Sequence, residues 1–131
     1  MWVKMFNAGQ ICTNIDYVFL PEGREQEFAE HCKKLIAQRY PDINGNDYTS
    51  IIDQRAFDRL NHTLDDAKAK GATVINLAQG QTPDLSLRKF SPHIVLNPSA
   101  DMIISQREIF GPILPIRTYK TKEEVASYIN S

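Results

Sequence analysis

The stretch Ala67-Lys68-Ala69-Lys70-Gly71-Ala72-Thr73-Val74-Ile75-Asn76-Leu77 changes its hydrophobic period halfway along, and that change decides the kind of fold. Upstream, Phe57, Leu60, Leu64 and Ala67 recur at helical spacing, which predicts an amphipathic helix from about Ile52 to Lys70. Gly71 then supplies a left-handed stop. Downstream, Thr73 to Leu77 is β-branched and apolar and predicts a strand. The polar run Gln79-Gly80-Gln81-Thr82-Pro83-Asp84 behind it predicts a surface turn.

The same alternation extends in both directions. Toward the N-terminus, Phe28, Cys32, Leu35, Ile36 and Tyr40 form a helical stripe over Arg24 to Tyr40 that must stop before Pro41. Before it, Tyr17-Val18-Phe19-Leu20 is a short strand closed by the breaker cluster Pro21-Glu22-Gly23. Ile43 to Tyr48, rich in Asn, Asp and Gly, reads as a loop. Toward the C-terminus, His93-Ile94-Val95-Leu96 is a strand cut by Asn97-Pro98. Ile113 to Tyr119 is another, and its Pro115 suits a strand start, edge or bulge better than a central ladder. Thr121 and Glu124 form a capping box, with Val125 and Ile129 expected on the buried side of the helix that follows. Strands alternating with helices over one domain's length predict an α/β layered fold with some parallel pairing, without repeat or linker.

The 131 residues are 42% hydrophobic and 24% charged, an ordinary balance for a globular domain with a core. A formal charge of -1 gives no field that favours nucleic acid or an anionic membrane over small neutral ligands. There is no signal-peptide pattern at the N-terminus and no uncharged apolar run of about 18 residues, so the sequence reads as cytosolic. The two cysteines, Cys12 and Cys32, sit in contexts too different for a secreted disulfide framework. His31, His62 and His93 are scattered and share no metal-ligand spacing with them.

Gly9-Gln10-Ile11-Cys12 places a thiol directly after a glycine-bearing bend, where backbone amides can turn toward the sulfur and toward a bound carbonyl oxygen. Alone, such a cysteine is commonly a small buried hydrophobe. Its surroundings say more. Lys4-Met5-Phe6-Asn7-Ala8-Gly9-Gln10-Ile11-Cys12 closely resembles the active-site cysteine signature of the aldehyde dehydrogenase superfamily. The helix-to-strand segment 51–80 looks like the family's region after the nucleophile. Phe90-Ser91-Pro92-His93-Ile94-Val95-Leu96 is similar to its strand-entry pattern, and Glu108-Ile109-Phe110-Gly111-Pro112 to its cofactor-contact motif. The resemblance runs from residue 4 to about residue 130. Asp16-Tyr17-Val18 looks most like the coniferyl aldehyde dehydrogenase branch, whose relatives act on hydrophobic or aromatic aldehydes.

The resemblance implies the family's three-layer catalytic domain, partial here, with a mostly parallel sheet flanked by helices. It implies that Cys12 adds to an aldehyde carbonyl, that a hydride leaves for NAD or NADP, and that water cleaves the resulting thioester to the acid. The Cys12 amide would help to hold the oxyanion. Glu108 would accept from the ribose hydroxyls beside the nicotinamide, and Phe110 would pack near the cofactor or serve as core. Cys32 reads as helix packing.

In the family the glutamate base and an asparagine oxyanion donor precede the nucleophile by tens of residues, and only eleven residues precede Cys12. No Gly-x-Gly-x-x-Gly follows any strand. The expectation is therefore a single partial, nucleophile-bearing catalytic domain over 1–131, without the dinucleotide-binding domain, inactive alone and binding no cofactor tightly. Two other readings stay open: a structural module that forms a homodimer through exposed sheet edges, and a cysteine hydrolase pairing Cys12 with a histidine.

Overall fold

Four strands, β1 (Val18–Pro21), β2 (Thr73–Asn76), β3 (His93–Leu96) and β4 (Ile113–Tyr119), lie side by side in the order β1-β4-β3-β2 in the computed structural model, which describes residues 1–131. β4 runs parallel to both β1 and β3, whereas β2 pairs antiparallel with β3. The sheet is thus mostly parallel, and helices cover it on both faces. α2 (Glu25–Arg39) brings Ala29, Cys32 and Ile36 onto one face, against Ile94, Leu114 and Ile116. α3 (Gln54–Ala69) brings Phe57, Leu60, Leu64 and Ala67 onto the other, against Val95 and Ile113. Alternate residues of β3 and β4 therefore enter opposite cores, as the two-residue period of a strand requires.

The helix ends follow local chemistry. Asp53 caps α3 by accepting from the Ala56 amide at 2.7 Å, which starts the helix just beyond Ile52 and leaves Ile52 outside, 74% exposed. Gly71, at φ 85°, stops it as expected. Three further short helices are α1 (Trp2–Met5), α4 (Ile103–Gln106) and α5 (Lys122–Ile129). Thr121 accepts from the Glu124 amide to cap α5, and Glu124 reaches back to the Lys120 amide, one residue beyond the reciprocal partner of a capping box. Val125 is half-buried as expected, but Ile129 is 61% exposed: α5 meets the sheet through β4 and through Tyr128, which packs edge-on against Phe19 of β1, and Ile129 is left facing solvent.

Pro115 sits in β4, which is a central strand and not an edge. The ladder bonds explain why it fits. His93 and Asn97 donate to the carbonyls of Pro112 and Ile116, so the even-numbered residues of β4 serve β3 and Pro115 points its missing donor toward β1. The β1 ladder begins only at Val18 opposite Ile116, one step past Pro115. The absent N–H thus falls where no partner strand exists.

Candidate active site

The chain before Cys12 is bent by three successive residues in left-handed conformation: Asn7 (φ 51°), Ala8 (φ 51°) and Gly9 (φ 77°). Two of them are not glycine, and such backbone is sparsely populated and concentrates at functional sites. The bend is fixed on one side by Gln10, whose side chain donates to the Ser50 carbonyl at 3.1 Å and accepts from the Ile52 amide at 2.9 Å. On the other side Asn14 donates to the Gly9 carbonyl at 2.7 Å and accepts from the Ile15 amide at 2.7 Å. Between these clamps Cys12 is exposed, and neither its thiol nor its backbone amide has a hydrogen-bond partner within the chain. Cys32, by contrast, is buried on α2, and burial pushes its thiol up to about 11 against the opposing pull of the chain's amino group.

The second sequence motif meets the first. A Cβ on Gly9 would lie 2.3 Å from the Gly111 carbonyl oxygen, so the two backbones touch at a point only glycine leaves open. Asp16 Oδ1 accepts from the Ile109 amide at 3.1 Å, across 93 residues of sequence. Arg59, on α3, donates to the carbonyls of Ile109 at 2.7 Å and Phe110 at 3.3 Å. Asp66 accepts from the Ile103 amide at 2.8 Å and pairs with Lys70 at 2.9 Å; the Ile103 amide, then Lys70, holds its carboxyl below the usual carboxylate range. Segment 103–110 is therefore pinned along its length.

Glu108 lies within that segment, exposed, its carboxylate making no hydrogen bond in the chain. It borders two open grooves, one of about 220 Å³ shared with Asp16 and Arg117, the other of about 200 Å³ shared with Arg59 and His62. Cys12 lines neither of these grooves, and the two motifs meet through backbone. Phe110 has a left-handed backbone (φ 47°) and is 38% exposed, which rules out plain core packing for its ring. A free acceptor-only carboxylate beside guanidinium groups is suited to a sugar diol next to a phosphate, so the residues present fit the dinucleotide that the motif implies.

No histidine reaches Cys12. His93 is directed at the Ser91 carbonyl, 2.7 Å from its Nδ1, and burial holds its ring down to about 4, while His62 lines the second Glu108 groove. The hydrogen bond that a cysteine hydrolase needs is missing. No three metal-ligating side chains converge anywhere, and no helix is long and apolar enough to cross a membrane. Lys4, Gln10, Asn14, Asp16 and Arg59 did not stand out as site residues in the sequence. Lys4 and Gln10 lie within the Cys12 motif and Asp16 heads Asp16-Tyr17-Val18, whereas Asn14 and Arg59 belong to no motif.

The bend that bears the Cys12 thiol thus meets, through backbone, the loop that bears Glu108 and leads into β4 of the mostly parallel sheet. The family model described as "Aldehyde dehydrogenase family" matches residues 1–131, and the chain belongs to that family. It is 46% identical to the coniferyl aldehyde dehydrogenase of a Pseudomonas species, over 98% of this chain and 27% of that protein. A probable coniferyl aldehyde dehydrogenase of Pseudomonas aeruginosa is 42% identical over 97% of the chain and 26% of that protein. Among solved structures, substrate-bound AldH of Staphylococcus aureus superposes with a TM-score of 0.85 at 28% identity, covering 98% of this chain and 27% of that one. An NADP-dependent glyceraldehyde-3-phosphate dehydrogenase of Bacillus halodurans, complexed with NADP, gives 0.77 at 27% identity over 96% of this chain and 26% of that one. The chain spans about a quarter of the length of the curated relatives it matches.

Proposed function

We propose that this chain supplies the nucleophile-bearing part of an NAD(P)-dependent aldehyde dehydrogenase that oxidises an aromatic, coniferyl-aldehyde-like substrate to its acid. The observation that carries the reading is the junction of the Cys12 bend with the Glu108 segment through the Gly9–Gly111 contact and the Asp16–Ile109 bond. The substrate class rests on the similarity to the coniferyl aldehyde dehydrogenases.

In this reading the Cys12 thiolate adds to the aldehyde carbon, forming a C–S bond and placing negative charge on the carbonyl oxygen. The Cys12 amide, which donates to nothing else in the chain, is the first hydrogen-bond donor for that oxygen. Bound NAD or NADP supplies the hydride acceptor. Hydrolysis of the thioester on Cys12 releases the acid and regenerates the thiol, so sulfur splits one hard oxidation into two easier steps. Glu108 would accept from the ribose hydroxyls and Phe110 would pack beside the cofactor, with Arg59 holding the carbonyls of Ile109 and Phe110.

No side chain of these 131 residues offers a hydrogen-bonded base to Cys12. The isolated chain should therefore carry a reactive thiol and yet not turn over. Two measurements test this. Iodoacetamide at neutral pH should modify Cys12 on the order of a hundredfold faster than buried Cys32, and the purified chain with NAD or NADP and coniferyl aldehyde should form no acid. Equal alkylation rates, or turnover approaching that of the relatives, would refute the reading. The sheet edges β1 and β2 carry no partner strand and are where we place any homodimer contact.

A further inference from the structure

A lysine stands where the packing calls for a hydrophobe. Lys4 is 1% exposed, and its Nζ donates to the Ile15 carbonyl at 2.9 Å. An apolar side chain of the same length would fill the space and leave that carbonyl unpaired. The Lys4 backbone takes part as well: Asn14 Nδ2 lies 3.5 Å from the Lys4 carbonyl and 2.7 Å from that of Gly9, while Asn14 Oδ1 holds the Ile15 amide. Residue 15 is thus gripped at both its amide and its carbonyl. The next residue is Asp16, which carries the Ile109 amide at 3.1 Å.

We propose that Lys4 is a positioning residue for the candidate site, its buried amine fastening the base of the 9–16 loop and, through Asp16, the 108–110 segment that carries Glu108. The assignment of the site itself rests on the reading given above. Lys4 touches neither the thiol nor the carboxylate; it acts on both through backbone. Burial brings its ammonium down to about 8, with Asp16 the charged group that opposes the shift. Its protonation therefore changes within an accessible pH range, and the network should register that change at both ends. The other ionisable groups about the network are the Cys12 thiol, the chain's amino group, which acts on Cys32, and His62, which lines the groove beside Ile109.

The test uses the N-acetylated chain carrying Cys12→Ser and His62→Gln, which silences those three groups. Amide nitrogen shifts of Ile15 and Ile109 are followed from pH 7 to 9.5, and the proposal expects a shared midpoint near 8. Adding Lys4→Met should flatten both curves. It should also lower hydrogen-exchange protection of the Ile109 amide at least roughly tenfold, the effect of losing about 1.4 kcal/mol, while Ile94 and Ile116 in the sheet keep theirs. A flat Ile109 curve beside a titrating Ile15, titration that survives Lys4→Met, or unchanged Ile109 protection overturns the proposal. Should Lys4→Met fail to fold, the titration of the chain that keeps Lys4 decides. The nucleophile reading fails separately: an unalkylated Cys12 sinks that reading and leaves the Lys4 link intact, whereas a reactive Cys12 with a silent Ile109 does the reverse.

Discussion

Replacing Gly9 by alanine should separate the two halves of the site. A methyl group there would sit 2.3 Å from the Gly111 carbonyl oxygen, 2.5 Å from its carbon and 2.9 Å from Asn14 Nδ2. Two of those atoms are backbone, in a residue whose own Cβ position is blocked by Leu60 at 2.4 Å, so the strain cannot be relieved by a side-chain rotation. A left-handed backbone at a non-glycine residue costs about 1–2 kcal/mol, and forcing atoms into a packed site costs about 1–3 kcal/mol more. The sum, about 2–5 kcal/mol, is a large share of the roughly 5–15 kcal/mol that stabilises a domain.

Gly23 provides the control, because it too is left-handed (φ 85°) but a Cβ there meets nothing within 4 Å. Gly23→Ala should lose only the conformational share, about 1–2 kcal/mol. Urea unfolding of both variants measures the two costs, provided the slope with denaturant stays constant. The clash is the difference between them. If Gly9→Ala is no less stable than Gly23→Ala, the close approach of the two motifs is not what the structure indicates.

Arg59→Ala removes charged donors from the Ile109 and Phe110 carbonyls and should cost roughly 1.5–3 kcal/mol by the same unfolding assay; a loss under about 0.5 kcal/mol, the range of a neutral surface change, would show that the segment does not depend on it. His93 should make stability pH-dependent: burial lowers its folded value from 6.5 to about 4, so the unfolded chain binds more protons between those values and stability falls as pH drops through that window. The loss has an upper bound of about 3 kcal/mol, and His93→Gln should flatten the slope there while leaving the more acidic carboxylate range as it is. Lys4 acts in the alkaline range: with its value lowered from 10.5 to about 8, stability should rise from pH 8 toward 10.5, and Lys4→Met should abolish the rise.

The sequence carried the fold wherever a local rule was sufficient. α2 and α3 were legible from their 3.6-residue stripes, and Asp53 moved the start of α3 from Ile52 to Gln54 because a cap outweighs an adjacent apolar residue. Pro115 misled, since its tolerance depends on which neighbour a strand residue faces, and that is set only once β1 and β3 have docked. Ile129 misled for a similar reason, because periodicity shows which side of a helix is apolar and not whether anything covers it. In the site, Cys12, Glu108 and Phe110 were visible as motif residues. Their supports were not. Asp16 meets Ile109 across 93 positions and Arg59 meets Ile109 across 50, and no local pattern encodes pairings of that range. Two neighbouring signals pointed toward the site: a glycine in each motif, since Gly9 and Gly111 are what allow the two backbones to meet.

The central claim is that Cys12 is the nucleophile of an aldehyde-oxidising site. It is tested most directly by exchanging these 131 residues for the matching quarter of the Pseudomonas coniferyl aldehyde dehydrogenase, which supplies the remainder of that enzyme. The chimera should oxidise coniferyl aldehyde with NAD or NADP, and Cys12→Ser should abolish the activity without changing its unfolding midpoint. A folded chimera that stays active without Cys12, or is inactive with it, would contradict the account.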